Sequence, residues 1–176
     1  AANQGQVYES FNMAELWKLP IIFVIENNQY AMGTSVARSS AEDQLYRRGE
    51  SFRIPGMQVD GMDVLAVRGA TEAALEYVRA GKGPILLEMK TYRYRGHSMS
   101  DPAKYRSRDE VQQMRDTSDP IEGIKKILAE AGVKEEDMKA IDTKIRKDVS
   151  EAADFAESSP EPDMAELYTD VLVEQY

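Results

Sequence analysis

The chain has 176 residues, a hydrophobic share of 42% and no cysteine, which is enough for a real core and excludes disulfides, thiol catalysis and thiolate metal sites. A formal net charge of −9 argues against general nucleic-acid binding, and no apolar stretch approaches the roughly 20 residues a membrane helix needs. Neither nucleic acid nor membrane is therefore expected as a partner. The charge is unevenly spread. Residues 90–108 carry six basic groups and one acidic group, whereas residues 109–176 carry eight basic and 19 acidic. A basic segment in an acidic chain points to an anionic ligand or partner beside it.

From the amino end, residues 5–18 read as a helix, with Val7, Phe11 and Ala14 at i, i+4, i+7 and Leu16 and Trp17 widening the apolar face. Pro20 then precedes the run Ile21-Ile22-Phe23-Val24-Ile25, which ends in Glu26-Asn27-Asn28. Five apolar residues without alternation predict a parallel strand covered on both faces. The helix would be a crossover that began from an earlier parallel strand, so part of the sheet is expected to precede Ala1. Residues 31–35 read as a loop, followed by a short helix over 42–48; residues 57–61 read as a short strand and turn. Asp63 is a good N-cap for a helix to about residue 80, with Ala70, Ala74, Tyr77, Leu75 and Val78 on its inner side and Gly81 and Gly83 as its stop. Residues 84–89 read as the next buried strand, and the alternation of strands with helices predicts a doubly wound, mostly parallel α/β sheet.

The last third is helical in pattern. Asp119, Pro120 and Glu122 form a helix start, with Ile121, Ile124 and Leu128 on one face. Met138, Ile141, Ile145, Val149, Ala152 and Phe155 step by three or four along a second helix, and both stripes are expected to pack on the sheet or on a partner. Pro160 and Pro162 mark a break, and residues 164–176 return to apolar character. These patterns divide the chain into an α/β part over 1–118 and a helical extension over 119–176.

Open α/β sheets bind ligands at the carboxyl ends of their strands. The side chains of Asn27 and Asn28 would stand there, offering neutral oxygens suited to a hard cation that already carries phosphate ligands. His97, the sole imidazole, follows the 84–89 strand in Tyr92-Arg93-Tyr94-Arg95-Gly96-His97-Ser98-Met99-Ser100-Asp101-Pro102, at the same sheet edge. Without cysteine, a second histidine or a Gly-x-Ser-x-Gly turn, any difficult chemistry falls to a bound cofactor.

The segments Ala1-Ala2-Asn3-Gln4-Gly5, Phe11-Asn12-Met13-Ala14, Leu16-Trp17-Lys18-Leu19-Pro20 and Glu26-Asn27-Asn28 resemble the thiamin diphosphate motif of the thiamin-diphosphate-dependent 2-oxoacid dehydrogenase family, specifically its pyruvate dehydrogenase alpha subunits. The 92–102 loop and the Val59-Asp60-Gly61-Met62-Asp63 turn are similar too. The motif's opening Gly-Asp-Gly would fall just before Ala1, so the chain resembles an N-terminally truncated member with the thiamin-diphosphate-binding fold.

That resemblance implies a metal site, a cofactor and a set of partners. By it, Asn28, through its side chain, and Tyr30, through its carbonyl, are Mg²⁺ ligands; the third protein ligand is the absent aspartate. Ala1 lies by the diphosphate, and His97 contacts the diphosphate and helps order the catalytic centre. Ser98 matches a serine phosphorylated in mitochondrial relatives, whereas lysine stands at Lys104, in the stretch that carries a second phosphoserine in the family. The reaction implied is decarboxylation of pyruvate with transfer of the acetyl unit to a lipoyl group. The partners implied are a beta subunit, in an α₂β₂ tetramer whose beta chain supplies the activating glutamate, and the lipoyl-bearing acetyltransferase core. A bacterial cytoplasmic enzyme is favoured, with the mitochondrial matrix as the alternative. Branched-chain 2-oxoacid and acetoin dehydrogenase alpha subunits share the metal motif and stay open as substrate classes, and a cofactor-free assembly module is the rival reading.

Overall fold

In the computed structural model, whose described residues are 1–103 and 105–171, a mixed succession of helices and strands includes a small parallel sheet. The elements in chain order are α1 (Gly5–Leu16), β1 (Ile22–Asn27), β2 (Tyr30–Ala31), β3 (Thr34–Ser35), α2 (Val36–Ser39), a 3₁₀ segment (Leu45–Phe52), β4 (Gly56–Asp60), α3 (Val64–Arg79) and β5 (Ile85–Lys90). They are followed by α4 (Arg108–Ser118), α5 (Pro120–Glu130), α6 (Glu135–Ser158) and a second 3₁₀ segment (Met164–Tyr168). The first of two compact units, Ala1–Ile127, holds the sheet; the second begins at Leu128.

The sheet order is β1-β5-β4, all parallel, with Ile25 and Gln58 flanking Glu88 in register. Alternation along β5 sends Ile85, Leu87 and Met89 to one face, where they pack with Val59 and with Ala74 and Val78 of α3. Leu86 faces the other way, into a cluster with Phe11 of α1 and Ile54. Phe11 stands among the rings of Tyr8, Phe23 and Phe52, at centroid separations of 4.8 to 6.1 Å. The doubly wound α/β expectation is met in this way, with helices on both faces of a parallel sheet.

The strand covered on both faces is β5, not β1. β1 stands at one edge of the three strands, and its Val24 is 58% exposed. α3 packs mainly over β4 and β5; Ile22 of β1 meets the edge of that cluster, whereas Val24 on the same face is exposed. Leu16 and Trp17, expected to broaden the apolar face of α1, are 70% and 58% exposed, whereas Phe11 and Ala14 are buried and Val7 and Tyr8 pack beside Phe11. The predicted helix over 42–48 is instead the 3₁₀ segment, ended by a left-handed Arg53, and the predicted loop at 31–35 contains the β2-β3 hairpin. The 3₁₀ segment sits close on β4: a Cβ at Gly56 would collide with the Tyr46 carbonyl, so glycine is needed there.

The helix starts follow the expected chemistry. The Asp63 carboxylate accepts from the N–H groups of Leu65 and Ala66 at 2.8 and 3.0 Å, and Asp119 caps α5 through Ile121 and Glu122. α4 has no counterpart among the predicted elements, although Ser107 accepts from the Glu110 N–H at 3.0 Å, a Ser-x-x-Glu start visible in the sequence. Along α6, Ile141, Ile145, Val149 and Phe155 are all exposed in the single chain. Residues 172–176 of the predicted apolar tail lie outside the described residues.

Truncating Phe11 to alanine should lower the unfolding free energy by about 3–5 kcal/mol in a urea melt, because a buried ring contacting three others leaves a cavity. Phe155→Ala, at a site 74% exposed, should change it by less than about 0.5 kcal/mol.

Candidate functional site

β1 ends in two successive side-chain turns. The Asn27 side-chain oxygen accepts from the Gln29 N–H at 3.1 Å, and that of Asn28 accepts from the Tyr30 N–H at 3.2 Å. Between them Gln29 adopts a left-handed backbone, with φ of 72°. The main chain is pinned on either side, since Thr91 donates to the Asn27 carbonyl and Val36 to the Gln29 carbonyl, both at 3.0 Å. β2 and β3 then fold the chain back, so Asn28 and Tyr30 face a cleft of about 430 Å³ at the strand's end. Ala1, Asn3, Phe23, Ser39 and Arg48 also line it. Among the described residues Arg48 is the sole Lys or Arg side chain along this wall, and it fastens the opening turn by donating to the Ala2 carbonyl and to the Asn3 side chain.

Beneath the turn lies a residue that sequence reasoning passed over. Glu88 has no exposed surface. Its Oε1 accepts from Asn27 Nδ2 at 2.6 Å, and its Oε2 accepts from the Tyr46 N–H at 3.1 Å and from Gln58 Nε2 at 3.2 Å. One carboxylate thus ties β1, β4 and the start of the 3₁₀ segment to β5. A charged residue inside Ile85-Leu86-Leu87-Glu88-Met89 is the signal that marks it.

His97 and Ser98 are exposed on the loop after β5 and do not line the cleft. The loop nevertheless reaches the site. Arg106, 9% exposed, donates to the carbonyls of Arg93 and Arg95, and its guanidinium lies 5.1 to 5.7 Å from the ring centres of Tyr30, Tyr92 and Tyr105. Tyr105 stacks at 5.3 Å on Tyr30. Asp101 shapes the bend that holds His97, accepting from the His97 N–H at 2.7 Å and from the Ala103 N–H and the Tyr105 hydroxyl at 2.9 Å. The Arg93 guanidinium, which can only donate, lies 3.3 Å from His97 Nδ1, so further chemistry at that ring falls to Nε2. Ser98 Oγ is 3.0 Å from Ser100 Oγ. The structure therefore gathers Ala1, Asn28 and Tyr30 on one cleft and joins the His97 loop to it through Tyr30.

The donor set of that cleft suits a hard cation: an amide oxygen and a main-chain carbonyl, with no cluster of three His, Asp or Glu groups among the described residues. The Asn28 oxygen retains a second lone pair beyond the bond from Tyr30. A separate cleft of about 560 Å³ opens at the ends of β4 and β5 beside Gln58, Asp60 and Lys90, and none of the sequence-predicted site residues lines it.

The Asp101 carboxyl is held below the usual carboxylate range, first by the His97 N–H, then by the Ala103 N–H and the Tyr105 hydroxyl. A depressed folded value means that the stabilisation is complete above the unfolded value of about 3.9 and is lost as pH falls through the lower folded one. Hydrogen-exchange protection at the amides of His97 and Ala103 should accordingly persist down to about pH 4 and collapse below it. In Asp101→Ala the same protection should be weak at every pH.

Known proteins share this sequence closely. Residues 1–165 match the family model described as the dehydrogenase E1 component. The chain is 64% identical over 174 residues, 98% of its length, to the pyruvate dehydrogenase E1 component subunit alpha of Rhizobium meliloti, of which that alignment covers 50%. It is 62% identical over its whole length to the Zymomonas mobilis protein of the same name, again covering 50% of that relative. With the mitochondrial somatic form from Bos taurus it shares 54% identity over 169 residues, 95% of this chain and 43% of the bovine one. The chain spans about half the length of the curated relatives it matches. On a match covering most of its residues, the chain belongs to the dehydrogenase E1 component family.

Proposed function

We propose that this chain is part of the alpha subunit of a pyruvate dehydrogenase and that it holds thiamin diphosphate through Mg²⁺ at the end of β1. The observation that carries this reading is the shared cleft of Ala1, Asn28 and Tyr30 at the carboxyl end of a parallel strand, where α/β sheets bind ligands. The likeness to relatives named for pyruvate dehydrogenase supports the substrate class.

In this reading the Asn28 side-chain oxygen and the Tyr30 carbonyl would hold Mg²⁺, a hard cation that takes oxygen ligands. Ala1 lies against the diphosphate and Arg48 opposes its charge across the cleft. His97, presented by the Asp101 bend, contacts the diphosphate and orders the catalytic centre. Thiamin diphosphate bound there would supply the nucleophilic carbon for decarboxylation of pyruvate and transfer of the acetyl unit to a lipoyl group. The beta subunit, in an α₂β₂ tetramer, contributes the activating glutamate, and the lipoyl-bearing acetyltransferase core receives the product. Ser98, exposed within the basic 90–108 segment, is the candidate phosphorylation site. No described helix is long and apolar enough to cross a membrane. The bacterial cytoplasm is the proposed location, with the mitochondrial matrix as the alternative, since relatives of both kinds match.

In the full-length alpha chain assembled with its beta partner, Asn28→Ala should raise the Mg²⁺ concentration that supports half-maximal thiamin diphosphate binding by about tenfold or more, since one inner ligand is lost. An unchanged requirement removes Asn28 from the metal. Pyruvate should exceed branched-chain 2-oxoacids in kcat/KM, and equal ratios would remove the substrate assignment.

A further inference from the structure

We propose that Glu88 is a positioning residue for the asparagine turn: its buried carboxylate dictates which way the Asn27 amide faces, and thereby where Asn28 and Tyr30 stand. The inference rests on the cofactor reading for its meaning at the metal, and on geometry alone for the positioning itself.

The Glu88 oxygens act as acceptors, so the Nδ2 end of Asn27 faces Glu88 Oε1, at 2.6 Å. With Nδ2 committed, Oδ1 is forced to the opposite side, and there it meets the Gln29 N–H at 3.1 Å. The amide of Asn27 is itself buried, at 3% exposure, so water offers no substitute partner for either end. Were the amide to flip, Nδ2 would oppose the Gln29 N–H, donor against donor, and the turn would lose the bond that stabilises the left-handed Gln29. Gln29 leads directly into Tyr30, whose N–H is held by Asn28 Oδ1 at 3.2 Å. The two oxygens assigned to the metal therefore depend on the orientation of one buried amide.

Glu88 is held in place from its far side. Oε2 takes the Tyr46 N–H at the start of the 3₁₀ segment and Gln58 Nε2 from β4, so the carboxylate cannot swing away from Asn27 without abandoning both. Filling space between α1 and the sheet would be served as well by an apolar residue, and Leu86, two positions earlier on the same side of β5, does so. What a leucine cannot do is choose an amide orientation. Glu88→Gln is the discriminating change, because it keeps the shape and admits a donor where only acceptors stood.

The test uses the full-length alpha chain in its assembly with the beta subunit. In Glu88→Gln, exchange protection at the amides of Gln29 and Tyr30 should fall by about tenfold relative to that of Leu87, the loss expected for one charge-assisted bond. The Mg²⁺ requirement for thiamin diphosphate binding should rise by about the same factor. Asp63→Ala, which removes the cap of α3, should leave both readouts within about twofold. Unchanged protection at Gln29 and Tyr30 overturns the positioning role whatever the metal does. If protection falls and the Mg²⁺ requirement does not move, the role at the metal is overturned; if Asn28→Ala is then equally silent, the fault lies in the cofactor reading. Should Glu88→Gln not fold, Asn27→Ala cuts the same link at its other end, with the same loss of protection expected and its absence equally decisive.

Discussion

A carboxylate with no exposed surface sits in the centre of the sheet, and the strand-end geometry is arranged around its three donors. A buried polar group left without a partner costs about 1–3 kcal/mol, so Glu88 is tolerable only when its three bonds are made. That condition fixes β1, β4 and the 3₁₀ segment relative to β5 at one point. It also explains how an edge strand with an exposed outer face ends in a well-defined turn: β1 owes its carboxyl end to the Asn27 bond as well as to its ladder with β5.

The loop after β5 repeats the device with the opposite charge. Arg106 is nearly buried, satisfies two carbonyls of the loop, and lies among three tyrosine rings, one of them Tyr30. Asp101 binds the loop's interior, and its Tyr105 partner stacks on the same Tyr30. Tyr30 is thus shared between the asparagine turn and the histidine loop.

Features governed by neighbours in the chain were legible in the sequence. The run from Ile21 to Asn28, the Asp63 and Asp119 caps, and the apolar β5 follow from propensity, capping and periodicity over a few residues, and each appears in the structure. Features decided by distant segments were not. Whether β1 lies at an edge depends on which strands pair with it, and nothing within the run itself carries that information. Glu88 draws its donors from positions 61, 42 and 30 residues away, a convergence that only the folded chain displays. Its charge inside an apolar run was the available clue. The exposed stripe of α6 shows the converse limit, because periodicity predicts an apolar face and does not name what covers it.

The central claim is that the Asn27-Asn28 turn is a metal-bridged diphosphate site. It is tested most directly by a crystal structure of the full-length alpha chain with its beta partner, Mn²⁺ and thiamin diphosphate, using the anomalous signal to locate the metal. The account predicts one metal within about 2.0–2.2 Å of Asn28 Oδ1 and of the Tyr30 carbonyl oxygen, in an octahedral oxygen shell that includes the diphosphate. A metal bound elsewhere, with Asn28 facing only protein, would contradict it.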